Sequence, residues 1–299
     1  MENFKPLQPK NAELDKLAFP CGVQKKYDGE KLININGQVL SRRLKPIRNT
    51  WLTAQMQEIM QYFDIPLEGE VQVDGTFAAT AGLLNSSNRE GDFIYWVFDT
   101  PMPDTPYMER QRILHNAVMD ANDPRVRMVE TITAYDVEEL LEVHAKYDAD
   151  PSLDGTITRN MKSEYKTGRA TVAVGHVMKL KSFDDSEAII TGFTERMHNT
   201  NEAKTNELGR TERSSAQDGL VPTGLIAAYT ADWNGVEIVV TATGDLASRM
   251  DRFNNFDEMC MGKLVKFQYQ GVFPDTGKPR FPTELGLRDE SDMGDPKHD

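Results

Sequence analysis

The chain has 299 residues, enough to bury a sizeable core and, on length alone, to form two domains. Its two cysteines, Cys21 and Cys260, are too few and too far apart for a disulfide framework or a four-cysteine zinc site, which points to a reducing compartment. A formal net charge of -13, from 47 acidic against 34 basic residues, argues against broad, non-specific nucleic-acid binding by the whole surface. The opening stretch "MENFKPLQPK" lacks the apolar core of a signal peptide, and no window approaches 18 apolar residues in a row, so a soluble, intracellular chain with no membrane partner is expected.

In chain order, residues 20 to 41 read as β structure: "GVQKKY", Asp28-Gly29, "EKLININ", Asn36-Gly37 and "QVLSRR", the Asn-Gly pair being a strong hairpin signal. "RNTWLTAQMQEIMQYF" places Trp51, Leu52, Met56, Ile59, Met60 and Phe63 at helical spacing, with Asn49 or Thr50 as the cap. "IPLEGEVQV" and "DFIYWVFDT" are β-branched and aromatic runs that predict buried strands. Helices follow at "PYMERQRILHNAVMD" and "DVEELLEVHAKYD", then strands at "LDGTITRN" and "TVAVGHVMKLKSF". From His198 to Gly219 the sequence is polar and without apolar period, which predicts a long loop or mobile hairpin. Strands resume in "GLIAAYTADWNGVEIVVTATG" and "GKLVKFQYQGVF", a pattern that suits a small β-barrel such as the OB-fold. The tail "DESDMGDPKHD" is polar.

Charge is unevenly spread. Between residues 25 and 48 lie Lys25, Lys26, Lys31, Arg42, Arg43, Lys45 and Arg48, opposed only by Asp28 and Glu30, and such a segment can attract phosphate inside an acidic protein. An arbitrary basic cluster is more often a solvated face, and a lysine pair before a turn is usually a surface pair. Lys26 gains interest as a nucleophile because an amine attacks only when neutral, and nearby cations disfavour the ammonium. Gln24 lies two residues earlier and so on the same strand face, and Lys179 and Lys181 likewise share a face.

The surrounding motifs are more specific. Lys26-Tyr27-Asp28-Gly29-Glu30-Lys31, Ser41-Arg42, Leu67-Glu68-Gly69-Glu70, Val97-Phe98-Asp99, Asp154-Gly155, Lys179-Leu180-Lys181 and "PRFPTELGLRDE", with Arg280 and Arg288-Asp289, occur in this order. The set resembles the ATP-dependent DNA ligases of the lysine-nucleotidyltransferase superfamily, and by size and "SRRLKPIRN" their minimal viral type; the resemblance covers residues 20 to 290.

The resemblance implies an α+β fold: a nucleotidyltransferase (ATP-grasp-like) domain of packed antiparallel sheets with flanking helices at 1–187, an OB-fold domain at 188–290 with a latch-like insertion around 198–222, and a polar tail at 291–299. It implies ATP-dependent sealing of 3′-OH/5′-phosphate nicks in duplex DNA, as in repair, replication and recombination, by a monomer that encircles the duplex. ATP is expected in the cleft between the domains, which close over it, and a bacterial cell or a virus-infected host cell is the expected setting. Lys26 takes AMP covalently, and Gln24, Lys25, Lys31, Arg42, Glu70, Phe98, Lys179, Lys181 and Arg288 are expected around the nucleotide. Phe98 would stack on adenine, Gln24 read the adenine edge, and Lys179 and Lys181 hold the α-phosphate. Asp154 and Glu70 are the expected Mg2+ ligands, since hard oxygen donors suit that ion. Arg42, Arg43, Lys45, Arg48 and Arg169, with Lys204, Arg210 and Arg213 of the insertion, are expected on DNA phosphates. Two positions depart from the family pattern: Lys31 stands where arginine is usual, and Asp154 where glutamate is usual. The alternatives are an mRNA-capping guanylyltransferase, an RNA ligase, or a non-catalytic nucleic-acid-binding relative.

Overall fold

The computed structural model describes residues 4–150, 152–273 and 275–288. The chain divides into two compact units, one of Met1–Lys181 with Asn206–Arg210, the other of Ser182–Thr205 with the chain from Thr211 onward. In the first unit β1 (Lys10–Asn11), β2 (Cys21–Tyr27), β3 (Glu30–Ile35) and β4 (Gln38–Ser41) are followed by α1 (Thr50–Met60) and β5 (Leu67–Gln72). Then come α2 (Phe77–Asn85), β6 (Ile94–Asp99), α3 (Tyr107–Ala121), β7 (Val126–Met128), β8 (Thr131–Ala134), α4 (Val137–Asp148), β9 (Leu153–Asn160) and β10 (Val177–Leu180).

These strands form two five-stranded sheets, ordered β1-β10-β9-β2-β8 and β4-β3-β5-β6-β7. The sheets are mixed rather than antiparallel as expected, because β1 pairs with β10, and β6 with β7, in parallel. The second pair follows from α3, a crossover that returns the chain to the same end of the sheet. The Asn36-Gly37 turn between β3 and β4 has positive φ at both residues, 52° and 73°, the geometry that twists a hairpin correctly. Asn49 caps α1, its side chain accepting from the Leu52 amide at 2.8 Å. The sequence reading did not foresee α2, which Thr76 caps by accepting from Ala79.

Alternation along the strands divides the packing. Leu32, Leu67, Val71, Tyr95 and Val97 bury one sheet face against Leu52, Met56 and Ile59 of α1, Leu83 of α2 and Leu114 of α3. Cys21 and Val23 of β2 pack with Leu140 and Tyr147 of α4. Between the sheets Ile33 and Ile35 meet Val177 and Met178, which leaves the polar residues of the same faces beside this core.

The second unit contains β11 (Asp184–Asn199), the hairpin β12 (Ala203–Thr205) and β13 (Thr211–Arg213), then β14 (Leu220–Trp233), β15 (Val236–Thr241), α5 (Leu246–Asn254), α6 (Phe256–Met259), β16 (Leu264–Tyr269) and β17 (Thr283–Arg288). Five strands close into a barrel in the order β11-β14-β15-β17-β16. Its core includes Ile190, Ile226, Tyr229, Val240, Val265 and Phe267. The expected boundary at 187/188 falls inside β11, and the division lies between Lys181 and Ser182. The polar stretch expected as loop or hairpin carries the β12–β13 pair, with Asn199 and Asn201 both donating to the Ser214 carbonyl. Asp289 and the polar tail at 291–299 lie outside the described residues.

Candidate active site

β2 carries Gln24 and Lys26 on the face turned to the other sheet and Lys25 on the face turned to α4. The register between β2 and β9 jumps from Lys25↔Thr156 to Tyr27↔Leu153, so Asp154 and Gly155 together stand opposite Lys26. This is a β-bulge, which re-aims a side chain. It directs Asp154 at the lysines: Lys26 donates to Asp154 Oδ2, and Lys181 donates to Oδ1 at 2.6 Å. Gly155 is required here on two counts. Its φ is +107°, and a Cβ would lie 2.4 Å from the Leu180 carbonyl oxygen on β10. Gly29, in the turn after β2, passes so close to β5 that a Cβ would meet the Val71 carbonyl oxygen at 2.2 Å.

The charges around Lys26 are unequal. Burial opposes ionisation of Asp154, but Lys26 and Lys181 outweigh it and hold the carboxyl below its ordinary range. Lys179 is depressed by burial first and by the Lys26 charge second. Lys181 is depressed by burial despite its bond to Asp154. Glu70 is paired in register with Lys31 on β3 and Trp96 on β6. Burial pushes its carboxyl up to about 7, against the pull of Lys26 and Lys31. Glu70 has no hydrogen-bond or ion-pair partner among the described residues, and no group of three or more metal-ligating side chains occurs among them. Two carboxylates, one without a partner, fit Mg2+, which is commonly held by one or two carboxylates plus substrate phosphate and water.

Lys31 has a local partner set of its own. Its ammonium donates to the Leu7 carbonyl at 3.0 Å and to Glu68 Oε2 at 3.1 Å, and lies 5.2 Å from the Phe98 ring centroid. Glu68 also accepts from the Tyr165 hydroxyl at 2.6 Å. The Arg159 guanidinium lies 5.5 Å from the centroid of the same Phe98 ring. Arg159 donates to Gln24 Oε1 at 3.2 Å and to Asp99 Oδ2 at 2.9 Å, and Arg110 donates to both Asp99 oxygens. Gln24 is 1 % exposed and donates to Thr131 Oγ1 at 3.1 Å, so its amide is built into this buried network.

The structure therefore brings Lys26, Glu70, Asp154, Lys179 and Lys181 together, with Gln24, Lys31 and Phe98 alongside, all within the first unit. It does not bring in Lys25, whose ammonium lies 5.8 Å from the Tyr147 ring centroid on the α4 side. Alternation along the strand is the reason. Arg42 and Arg43 are exposed in a tight loop closed by Ser41 and Lys45, with Arg48 exposed and Lys45 half-buried close by. Arg169 is exposed. Lys204 is exposed on β12, Arg210 is exposed between β12 and β13, and Arg213 on β13 donates to the Asn201 carbonyl. Arg288 donates to Glu187 Oε1 at 3.0 Å within the barrel unit.

Sequence reasoning assigned no role to Arg159, Arg110, Asp99, Glu68 or Tyr165. Glu68 and Asp99 stand inside recognised motifs, which was the available signal; the arginines reach them only through the tertiary fold.

This arrangement can be set beside known proteins. No family model matches the chain. The DNA ligase of African swine fever virus (strain Badajoz 1971 Vero-adapted) is 28% identical over 119 residues, covering 38% of this chain and 28% of the ligase. The chain thus matches under a third of that relative's length. The Chlorella virus DNA ligase-adenylate is 25% identical with a TM-score of 0.55, over 96% of this chain and 99% of that one. A structure of the Lig E DNA ligases superposes with a TM-score of 0.73 at 20% identity, over 95% and 99%. The chain has the fold of the ATP-dependent DNA ligases. The ligase of bacteriophage T7 in complex with ATP shares it, with a TM-score of 0.53 at 16% identity over 96% and 99%.

Proposed function

We propose that the protein is an ATP-dependent DNA ligase that seals 3′-OH/5′-phosphate nicks in duplex DNA, acting as a monomer. The observation that carries this reading is the Lys26–Asp154–Lys181 cluster, with Lys179 and Glu70 beside it, on the ligase fold. Lys26 donates to Asp154 in the resting site. For attack the Lys26 amine gives up a proton to solvent, and its lone pair forms a bond to the α-phosphorus of ATP. The α–β bridging bond breaks, and its electron pair leaves with pyrophosphate. Lys179 and Lys181 face the charge that develops on the α-phosphate, where fixed cations in a partly buried site act strongly.

AMP then passes from Lys26 to the 5′-phosphate of the nick, and the 3′-OH displaces it. Phe98 offers an aromatic face to adenine, and Glu70 and Asp154 would hold Mg2+, which would neutralise phosphate charge. Gln24 contributes through its bonds to Arg159 and Thr131 to the wall beside Phe98. The exposed Arg42, Arg43, Arg48 and Arg169, with Lys45, suit phosphates of the nicked strand, as do Lys204, Arg210 and Arg213. The barrel is proposed to be an OB-fold, supported by its strand order and by helices between its third and fourth strands.

The test is labelling with α-labelled ATP and, separately, GTP, followed by addition of a nicked duplex. An adduct with ATP alone, chased into sealed DNA, is expected. An adduct with GTP alone would favour the capping activity, and none with either nucleotide would favour a non-catalytic DNA-binding protein.

A further inference from the structure

We infer that the stack of Tyr27 on Trp96 is a positioning device for the Lys26 nucleophile, an inference that rests on the adenylation of Lys26 proposed above. The rings are 4.1 Å apart between centroids and 9° from parallel, the closest ring pair among the described residues. Tyr27 ends β2 in one sheet and Trp96 lies on β6 in the other, so the stack ties the sheets together at the nucleophile.

Three observations say why Lys26 needs such a tie. The bulge opposite Lys26 interrupts the β2–β9 ladder, so regular strand pairing does not fix this residue from that side. Two residues later the chain enters the Asp28-Gly29 turn and leaves the sheet. On the far side of the stack, Trp96 is the register partner of Glu70, so the same contact fixes the β2 terminus against β6, the strand paired with the one that bears the unpaired carboxylate. The Arg127 guanidinium, 5.7 Å from the Trp96 centroid, adds a cation to the aromatic column.

Trp96 itself indicates that the ring face is what matters. Its Nε1 is buried with no hydrogen-bond partner among the described residues, a costly state for a donor, so the indole is not held in place by its polar atom. Burial pushes the Tyr27 hydroxyl up to about 12, and it stays neutral beside the cationic site.

A positioning role separates two steps that a structural role would not. Lys26 forms and breaks its bond to phosphorus during adenylation and AMP transfer. It forms no bond when the 3′-OH attacks a nick supplied with AMP already on its 5′-phosphate. Tyr27→Leu and Trp96→Leu should each slow single-turnover adenylation on the order of 100-fold, the scale of an ångström-sized misplacement, with the ATP concentration for half-maximal rate little changed. Both should join the pre-adenylated nick at near the parent rate. Tyr27→Phe should restore adenylation, and the double leucine variant should be no slower than either single one, since each removes the same contact.

Equal losses in both steps, or no loss in adenylation, would overturn the inference. If the parent protein joins the pre-adenylated nick but takes no AMP from ATP, it is the adenylation reading that fails.

Discussion

Lys25 and Lys26 are neighbours in sequence with different surroundings, because successive side chains of an extended strand point to opposite faces. Lys25 rests over Tyr147, and Lys26 shares Asp154 with Lys181. The two departures from the ligase pattern also resolve at this scale. Asp154 is one methylene shorter than glutamate, yet the bulge lets its two oxygens reach both lysines. Lys31 lacks the guanidinium fork but satisfies Leu7 and Glu68 with a point charge. Glu70 gives a pH prediction. Its carboxyl lies at about 7 in the folded chain against 4.5 ordinarily, so the folded state keeps a proton that the unfolded state releases. Its contribution to stability is therefore full below 4.5 and lost as the pH rises through about 7. Glu70→Gln does not titrate, so in the absence of nucleotide it should gain about 3 kcal/mol relative to the parent between acidic and alkaline buffer. Thermal unfolding at the two ends of that range checks this; a stability difference independent of pH would contradict it.

At the scale of elements, the bulge in β9 is what turns two ordinary strands into a reactive cluster. Gly155 makes it possible, since its φ of +107° and the 2.4 Å approach to Leu180 leave no room for a side chain. Gly155→Ala should destabilise the first unit by about 1–3 kcal/mol through backbone strain and slow adenylation with it. A melting temperature equal to the parent's would show that the bulge relaxes without cost. Elements with a strong local signal were legible in the sequence. β9 occupies residues 153–160 as expected, and α1, α3 and α4 match their apolar periods within a few residues. α2 was missed because "FAATAGLLN" is nearly all small or apolar and shows no face. β7 and β8 are short, and their pairing is set by neighbours. The Asp99–Arg110–Arg159 network was illegible for a different reason: buried charges are paid for by partners distant in sequence, here 11 and 60 residues away.

At the scale of the molecule, a net charge of -13 coexists with a basic segment between residues 25 and 48, which is why an acidic chain can still be proposed to hold phosphates. The grouped lysines and carboxylates lie in the first unit, and the second is a separate closed barrel with its own core. Length, the short-strand pattern after the polar stretch and motif order pointed to two parts, whereas the parallel strand pairs and the division at Lys181 came only from the assembled fold. The first two steps of the proposed activity, adenylation and AMP transfer, pass through one atom, Lys26 Nζ. Incubation of AMP-free protein with ATP and magnesium, followed by intact-mass measurement, tests that most directly. The parent and Lys25→Ala should each gain the mass of one AMP, and Lys26→Ala should gain none. A full AMP adduct on Lys26→Ala, or none on the parent, would contradict the account.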